Sequence, residues 1–361
     1  MTFNDVIGQQ EMIERLKRLV DENRLPHAIM LCGPQGAGKF ALAVALASYI
    51  LGTDRWQHPD LHYSYPTIKG KNWSSDRKPE SDDYAQEWFQ MLNEEGAYFD
   101  LQEWLPRIKV ENQQSLISVA ESDRLTRILM MKSNQGGKKI SLIWMPEKMN
   151  RECANKILKL LEEPPSDTHF ILVSQHPEQL LETIRSRVQR FDVKPIDQQS
   201  VQEALQRLRG LAAEDAERIA RIAKGNWLKA VRMLQPDNED ILFFDLYVML
   251  MRKAYMRDLR DLKKWTEQIT TLGREKQIRM LQAFQRLTRE YFMYNFQNQS
   301  LVYMTNEEEA FARNFARFVN ENNVVGMYDL YQRAIRDVGR NVNSRILFFD
   351  MAMKMAVMIR R

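Results

Sequence analysis

A chain of 361 residues is longer than one ordinary hydrophobic core supports, which points to two or three domains. Its composition, 44% hydrophobic and 28% charged with 14 Gly and 12 Pro, excludes a mainly disordered, collagenous or fibrous protein. A net charge of +4 is too balanced to mark a nucleic-acid binder by charge alone, and two cysteines, Cys32 and Cys153, exclude both a disulfide framework and a four-cysteine zinc site. The first ten residues lack the basic-then-apolar build of a signal peptide. The most apolar stretch, Ala41 to Leu51, is about half of what a bilayer span needs. A cytoplasmic protein without membrane contact is the expectation.

The first half alternates strands and helices. Residues 27–32 form a short apolar run that stops at Gly33, and an Ala/Leu-rich helix is predicted from Gly38 to near Gly52. A second strand is predicted over 140–145. A helix over 147–163 follows, with Met149, Cys153, Ile157, Leu160 and Leu161 on one face and Pro164-Pro165 as its stop. Residues 169–174 make a third strand. This alternation implies parallel pairing and an α/β layered domain. Residues 53–108 interrupt the order with a polar, tryptophan-rich segment. It reads as an insertion, mobile around 69–83 and helical from Tyr84 to Asn93. Beyond Pro195 the pattern is helical: Asp197 caps a helix to about Leu208, helices follow near 213–223 and 226–234, and Gln235–Asn238 reads as a boundary. The remainder is helical by period, with turns near Gly273, Asn298–Asn306 and Asn322–Gly326.

Residues 33–40 match the GxxxxGK phosphate loop, between a strand and a helix, but Phe40 stands where Ser or Thr supplies a magnesium ligand. Gly33, Gly36 and Gly38 permit close backbone approach to phosphate, and Lys39 adds a point charge or is simply a solvated lysine at a helix terminus. The second metal-holding element is missing too. The strand over 140–145 ends in Trp144-Met145 with no carboxylate, and Glu147 is expected in the first turn of the next helix, where an acid suits the dipole. With both elements gone, hydrolysis by this chain is not expected, and ATP or ADP binding is doubtful.

Further motifs carry a family resemblance. These are Phe3 through Gln9, His27, His58-Pro-Asp-Leu-His62, Ile157 through Pro165 with its Glu-Glu-Pro-Pro, Thr183 through Gln189 with Ser186-Arg187, and Arg340 through Asn343. Together they resemble the delta-prime subunits of the bacterial DNA polymerase III clamp loader, in the AAA+ superfamily. The resemblance covers most of the chain and is weakest over residues 69–108. It implies an AAA+ phosphate-loop α/β domain over 1–194 with a parallel sheet, a small helical lid domain over 195–237, and an all-α collar domain over 238–361. It also implies gamma/tau ATPase and delta subunits as partners, with the sliding clamp and primer-template DNA reached through the complex.

Departures from the family sharpen the expectation. The interval 41–138 has no cysteine, so the zinc module of the ATPase subunits is not expected, and His58 with His62 makes no metal site. Leu228 stands where active members carry a phosphate-sensing arginine, and Lys229 is expected to point elsewhere. Ser186-Arg187 is intact. The resemblance implies that Arg187 serves in trans as an arginine finger on a neighbouring subunit's ATP; without it, Arg187 reads as a surface arginine paired to a local carboxylate. Residues 239–361 carry 20 Lys/Arg against 15 Asp/Glu, and the apolar positions of the helix at Phe348–Met358 exceed one stripe, as an interface helix would. The alternatives are an active gamma/tau-like ATPase and an AAA+ protein of DNA repair or recombination.

Overall fold

The computed structural model describes residues 1–361 except 71–72, 75–76, 109–114, 134–136, 235–238, 298–301, 341 and 361. The boundary at Gln235–Asn238, Asn341, and parts of the segments 69–83 and 298–306 therefore lie outside the described residues. The chain forms two compact units, Met1–Val231 and Arg232–Arg361.

The first unit contains α1 (Gln10–Asp21), β1 (Ala28–Cys32), α2 (Lys39–Leu51), β2 (Leu61–Ser64), α3 (Ala85–Glu95), α4 (Leu101–Arg107), α5 (Val119–Met130), β3 (Lys139–Trp144), α6 (Arg151–Glu162), β4 (Thr168–Ser174), α7 (Glu182–Arg185), β5 (Gln189–Asp192), α8 (Gln198–Arg209), α9 (Ala213–Ala223) and α10 (Trp227–Arg232). The five strands pair in parallel in the order β2-β3-β4-β1-β5. The three predicted strands are the three central ones. Their near-continuous apolar runs reflect burial on both faces, as parallel sheets require.

Side chains alternate across this sheet into two cores. Ile29, Leu31, Ile171, Val173, Leu142 and Trp144 face α1, α2 and the insertion helices α3 and α4. Met30, Cys32, Phe170, Leu172 and Ile143 face α5, α6 and α7. The edge strands β2 and β5 escaped prediction because each spans four residues, and β5 alternates with only Phe191 buried. Helix α6 begins later than its periodicity suggests. Asn150 caps it, accepting from the Cys153 N–H at 2.8 Å, and Pro146–Lys148 forms a separate 3₁₀ turn that carries Glu147.

The insertion is an ordered part of the core where it is described. Trp88 is 1% exposed and stacks on Tyr65 at 3.9 Å, with Trp104 edge-on at 5.3 Å. A buried ion pair, Arg124–Glu121 at 2.6 Å, ties it down further: Glu121 also accepts from the Ser64 hydroxyl and from the Ser81 N–H. After the sheet, Asp197 caps α8 by accepting from the Ser200 N–H at 2.8 Å. Helices α8 and α9, and α10 as far as Val231, belong to the same compact unit as the sheet.

The second unit is all-helical: α11 (Glu239–Met256), α12 (Leu259–Thr270), α13 (Arg274–Tyr294), α14 (Asn306–Phe315), α15 (Val324–Gly339) and α16 (Ser344–Met358). Trp265, Tyr247, Phe284 and Tyr331 are fully buried in its core, and the Trp265 indole N–H donates to the Leu246 carbonyl at 2.9 Å. Tyr291 is buried, whereas Phe296 is 54% exposed. Helix α16 buries Phe348, Met351, Ala352 and Met355 on one stripe, and leaves Ile346, Phe349 and Val357 exposed on another. No helix among the described residues is long and apolar enough to cross a membrane.

Candidate functional site

The loop between β1 and α2 lies at the carboxyl end of the sheet, where open α/β sheets bind ligands. Gly33, Gly36 and Gly38 all have positive φ. Gly36 shows what the loop approaches: a Cβ built there would stand 1.9 Å from the Asn226 side-chain oxygen. Trp227, at the start of α10, donates its backbone N–H to the Gly36 carbonyl at 3.1 Å. Gln9 reaches in from the amino-terminal segment and donates to the carbonyls of Ala37 and Lys194 at 3.0 and 2.7 Å. The loop is thus clasped from two directions by its own chain.

Lys39 is not solvated. It is 5% exposed, and its ammonium donates to the Pro34 carbonyl at 2.6 Å. Burial pulls its pKa down to about 8, partly opposed by the nearby Glu147 carboxylate. The folded state therefore binds fewer protons here than the unfolded state between pH 8 and 10.5, and stability contributed at this site rises with pH across that window. Melting temperatures of the protein and of Lys39→Met, compared from pH 7.5 to 10.5, should show the parent gaining on the variant. A constant difference would contradict this burial of charge.

Phe40 fills the place of the absent hydroxyl with an aromatic cluster. Its ring lies 5.1 Å from Phe99, 5.7 Å from Trp88 and 6.2 Å from Trp144, and Phe99 meets Trp144 at 5.1 Å. Trp144 is the tip of β3, so both positions where a phosphate-loop hydrolase holds magnesium are apolar here and packed on each other. A cavity of about 30 Å³ beside Gly36, Gly38 and Lys39 is lined also by Tyr98, Phe99, Gln175 and Leu228. That is space for about one water molecule, against several hundred Å³ for a small-molecule site. Phe40 and Trp144 offer no oxygen at the two positions where a phosphate-loop hydrolase holds its metal.

Glu147 uses one carboxylate oxygen to accept from the backbone N–H groups of Gln175 and His176, at 3.0 and 3.3 Å, and so pins the end of β4. This role replaces the expected stabilisation of a helix terminus. Lys229 donates to the Ile222 carbonyl at 2.9 Å, and Leu228 faces the small cavity. His62 lies on β2, where burial lowers its pKa to about 4, while His58 accepts from the Asp60 N–H at 3.1 Å. Among the described residues no group of three or more His, Cys, Asp or Glu is placed to hold a metal ion.

Arg187 follows α7 and is partly exposed. One guanidinium nitrogen donates to the Thr183 carbonyl at 2.9 Å, and another pairs with Glu162 at 2.5 Å. Glu162 ends α6 and opens the Glu-Glu-Pro-Pro segment, so the two motifs meet in space. Arg190, by contrast, pairs along its own strand with Asp192 at 2.7 Å.

Sequence reasoning missed Tyr98, Phe99 and Asp100, which close the loop. The signal that could have found them is the aromatic richness of the insertion, which marks a core element.

A parallel sheet with a glycine-rich strand-to-helix loop, clasped by a following helical layer, defines a phosphate-loop α/β protein. Residues 8–197, more than half of the chain, match the family described as "DNA polymerase III, delta subunit", and the chain belongs to that family. It is similar to the DNA polymerase III subunit tau/gamma of Haemophilus influenzae, at 27% identity over 75% of this chain and 31% of that one. It is also similar to the DNA polymerase III subunit delta' of Pseudomonas aeruginosa, at 30% over 57% of this chain and 55% of that one. The delta' subunit of Escherichia coli matches at 26%, over 62% and 59%. The matches thus span about a third to three fifths of these relatives.

Proposed function

We propose that this chain is a hydrolysis-silent, delta-prime-like subunit of a replicative clamp loader. In this reading it joins gamma/tau-type and delta subunits in placing a sliding clamp on primed DNA, and it presents Arg187 to ATP held by a neighbour. The observation that carries the reading is a contrast within one unit. The phosphate-loop cleft is filled by Phe40, Phe99 and Trp144, whereas the Ser186-Arg187 segment keeps a guanidinium at the surface. The family membership and the delta' and tau/gamma relatives support the same assignment. The exposed stripe Ile346, Phe349 and Val357 on α16 is consistent with an interface helix in a collar of subunits.

Calorimetric titration of the isolated chain with ATP, with and without Mg²⁺, separates this reading from an active gamma/tau-like ATPase. No binding at millimolar nucleotide is expected. Saturable Mg²⁺-dependent binding accompanied by turnover would establish the alternative.

A further inference from the structure

The segment Ala97–Asp100 occupies the mouth of the phosphate loop with a set of contacts that each reach a different part of the first unit. The Tyr98 hydroxyl accepts from the Ile7 N–H at 2.8 Å, in the amino-terminal segment. The same hydroxyl lies 3.3 Å from where a Cβ on Gly38 would stand, and the Tyr98 ring meets Trp227 of α10 edge-on at 6.1 Å. Phe99 packs on Phe40 and Trp144, each at 5.1 Å. The Asp100 carboxylate accepts from the Gln35 side chain, within the loop itself. Asp100 also caps α4, accepting from the Gln102 N–H at 2.6 Å, so the segment is strung between two anchored helices.

We infer that Ala97–Asp100 is a tethered internal ligand of the phosphate loop, which holds the start of α10 and the amino-terminal segment against that loop without any bound nucleotide. An aromatic ring with a hydrogen-bonding edge, an apolar body and a carboxylate bridge the amino-terminal segment, the loop and α10. A free ligand that bridges two parts of a protein shifts the equilibrium toward the closed arrangement only while it is bound. A covalently attached one cannot diffuse away, so the closed arrangement is the resting state. The insertion thereby acquires a role: it docks α10 on the loop with no ligand required. This inference rests on the reading that the cleft takes no nucleotide, and it is independent of Arg187.

Hydrogen exchange on the full chain tests it, with Tyr98→Ala and Tyr98→Phe as variants and ATP with Mg²⁺ as the probe. In Tyr98→Ala, amides of residues 226–231 and of Ile7 should exchange at least about tenfold faster than in the parent, while β1 and β4 keep the parent's rates. In Tyr98→Phe, which keeps the ring and loses the acceptor, the Ile7 amide should accelerate by a similar factor. Parent-like exchange at 226–231 in Tyr98→Ala would overturn the inference and make the segment a mere filler. Should Tyr98→Ala not fold, Tyr98→Phe decides: acceleration at Ile7 supports the inference, and parent rates at both Ile7 and 226–231 overturn it. Binding of ATP by the parent would instead defeat the reading of a silent cleft, whatever the variants do.

Discussion

If Arg187 serves a neighbour's ATP as proposed, Arg187→Ala slows turnover at that site by about a thousandfold, the scale of an arginine finger supplied in trans. In that reading the cause is loss of a positive charge placed where negative charge develops on the transferred phosphoryl group. Folding of the chain itself should hardly change. Arg187 and Glu162 are 36% and 47% exposed, and a solvent-screened pair of this kind contributes less than about 1 kcal/mol. The two effects are thus separable in a reconstituted loader, by single-turnover hydrolysis with clamp and DNA alongside a melting curve. Glu162→Gln is a useful companion, because it removes the cis partner while leaving the arginine. Parent-like turnover in Arg187→Ala, with assembly intact, would reduce Arg187 to a surface arginine that serves α6 and α7.

The second large effect belongs to Trp88→Ala. This indole is fully enclosed by Tyr65, Phe40, Phe99, Trp104 and Trp144, so truncation leaves a cavity among aromatic rings that are held by other elements and cannot all collapse inward. A cost of about 3–5 kcal/mol is expected, read as a lower urea midpoint for the first unit. Trp88→Phe should cost much less. Among the described residues the indole N–H has no hydrogen-bond partner, so the smaller ring discards an unsatisfied buried donor along with some packing. The all-α second unit should keep its own transition in both variants. Equal destabilisation by Ala and Phe would show that the cluster depends on the indole's full shape rather than on filled volume.

The parts legible in the sequence are those whose pattern is local. The central strands β1, β3 and β4 stand out because burial on both faces makes each an apolar run. The phosphate loop was legible because its glycines and lysine sit between a strand and a helix, and α8 because Asp197 caps it. Helix α6 was legible in its body but not at its start, where the Asn150 cap outweighs the apolar period that runs back to Met149. The edge strands were not legible. Strand β2 is recruited by pairing with β3, and β5 by pairing with β1, and four residues carry too little pattern to announce either.

Phe40 and Trp144 by themselves determined that the residues for holding magnesium are absent, since no phenylalanine or tryptophan offers an oxygen. Ser186-Arg187 likewise determined that a guanidinium is available. Only the tertiary structure decided what becomes of the vacated chemistry. Phe40, Phe99 and Trp144 come from α2, the insertion and β3, far apart in sequence, and their rings meet because those elements pack on one face of the sheet. Glu162 and Arg187 are likewise joined only by packing of α6 beside α7. The physical reason is common to both cases. Which functional groups a chain owns is a local property of its residues, but which volume they fill and which charge they face is set by contacts between distant segments.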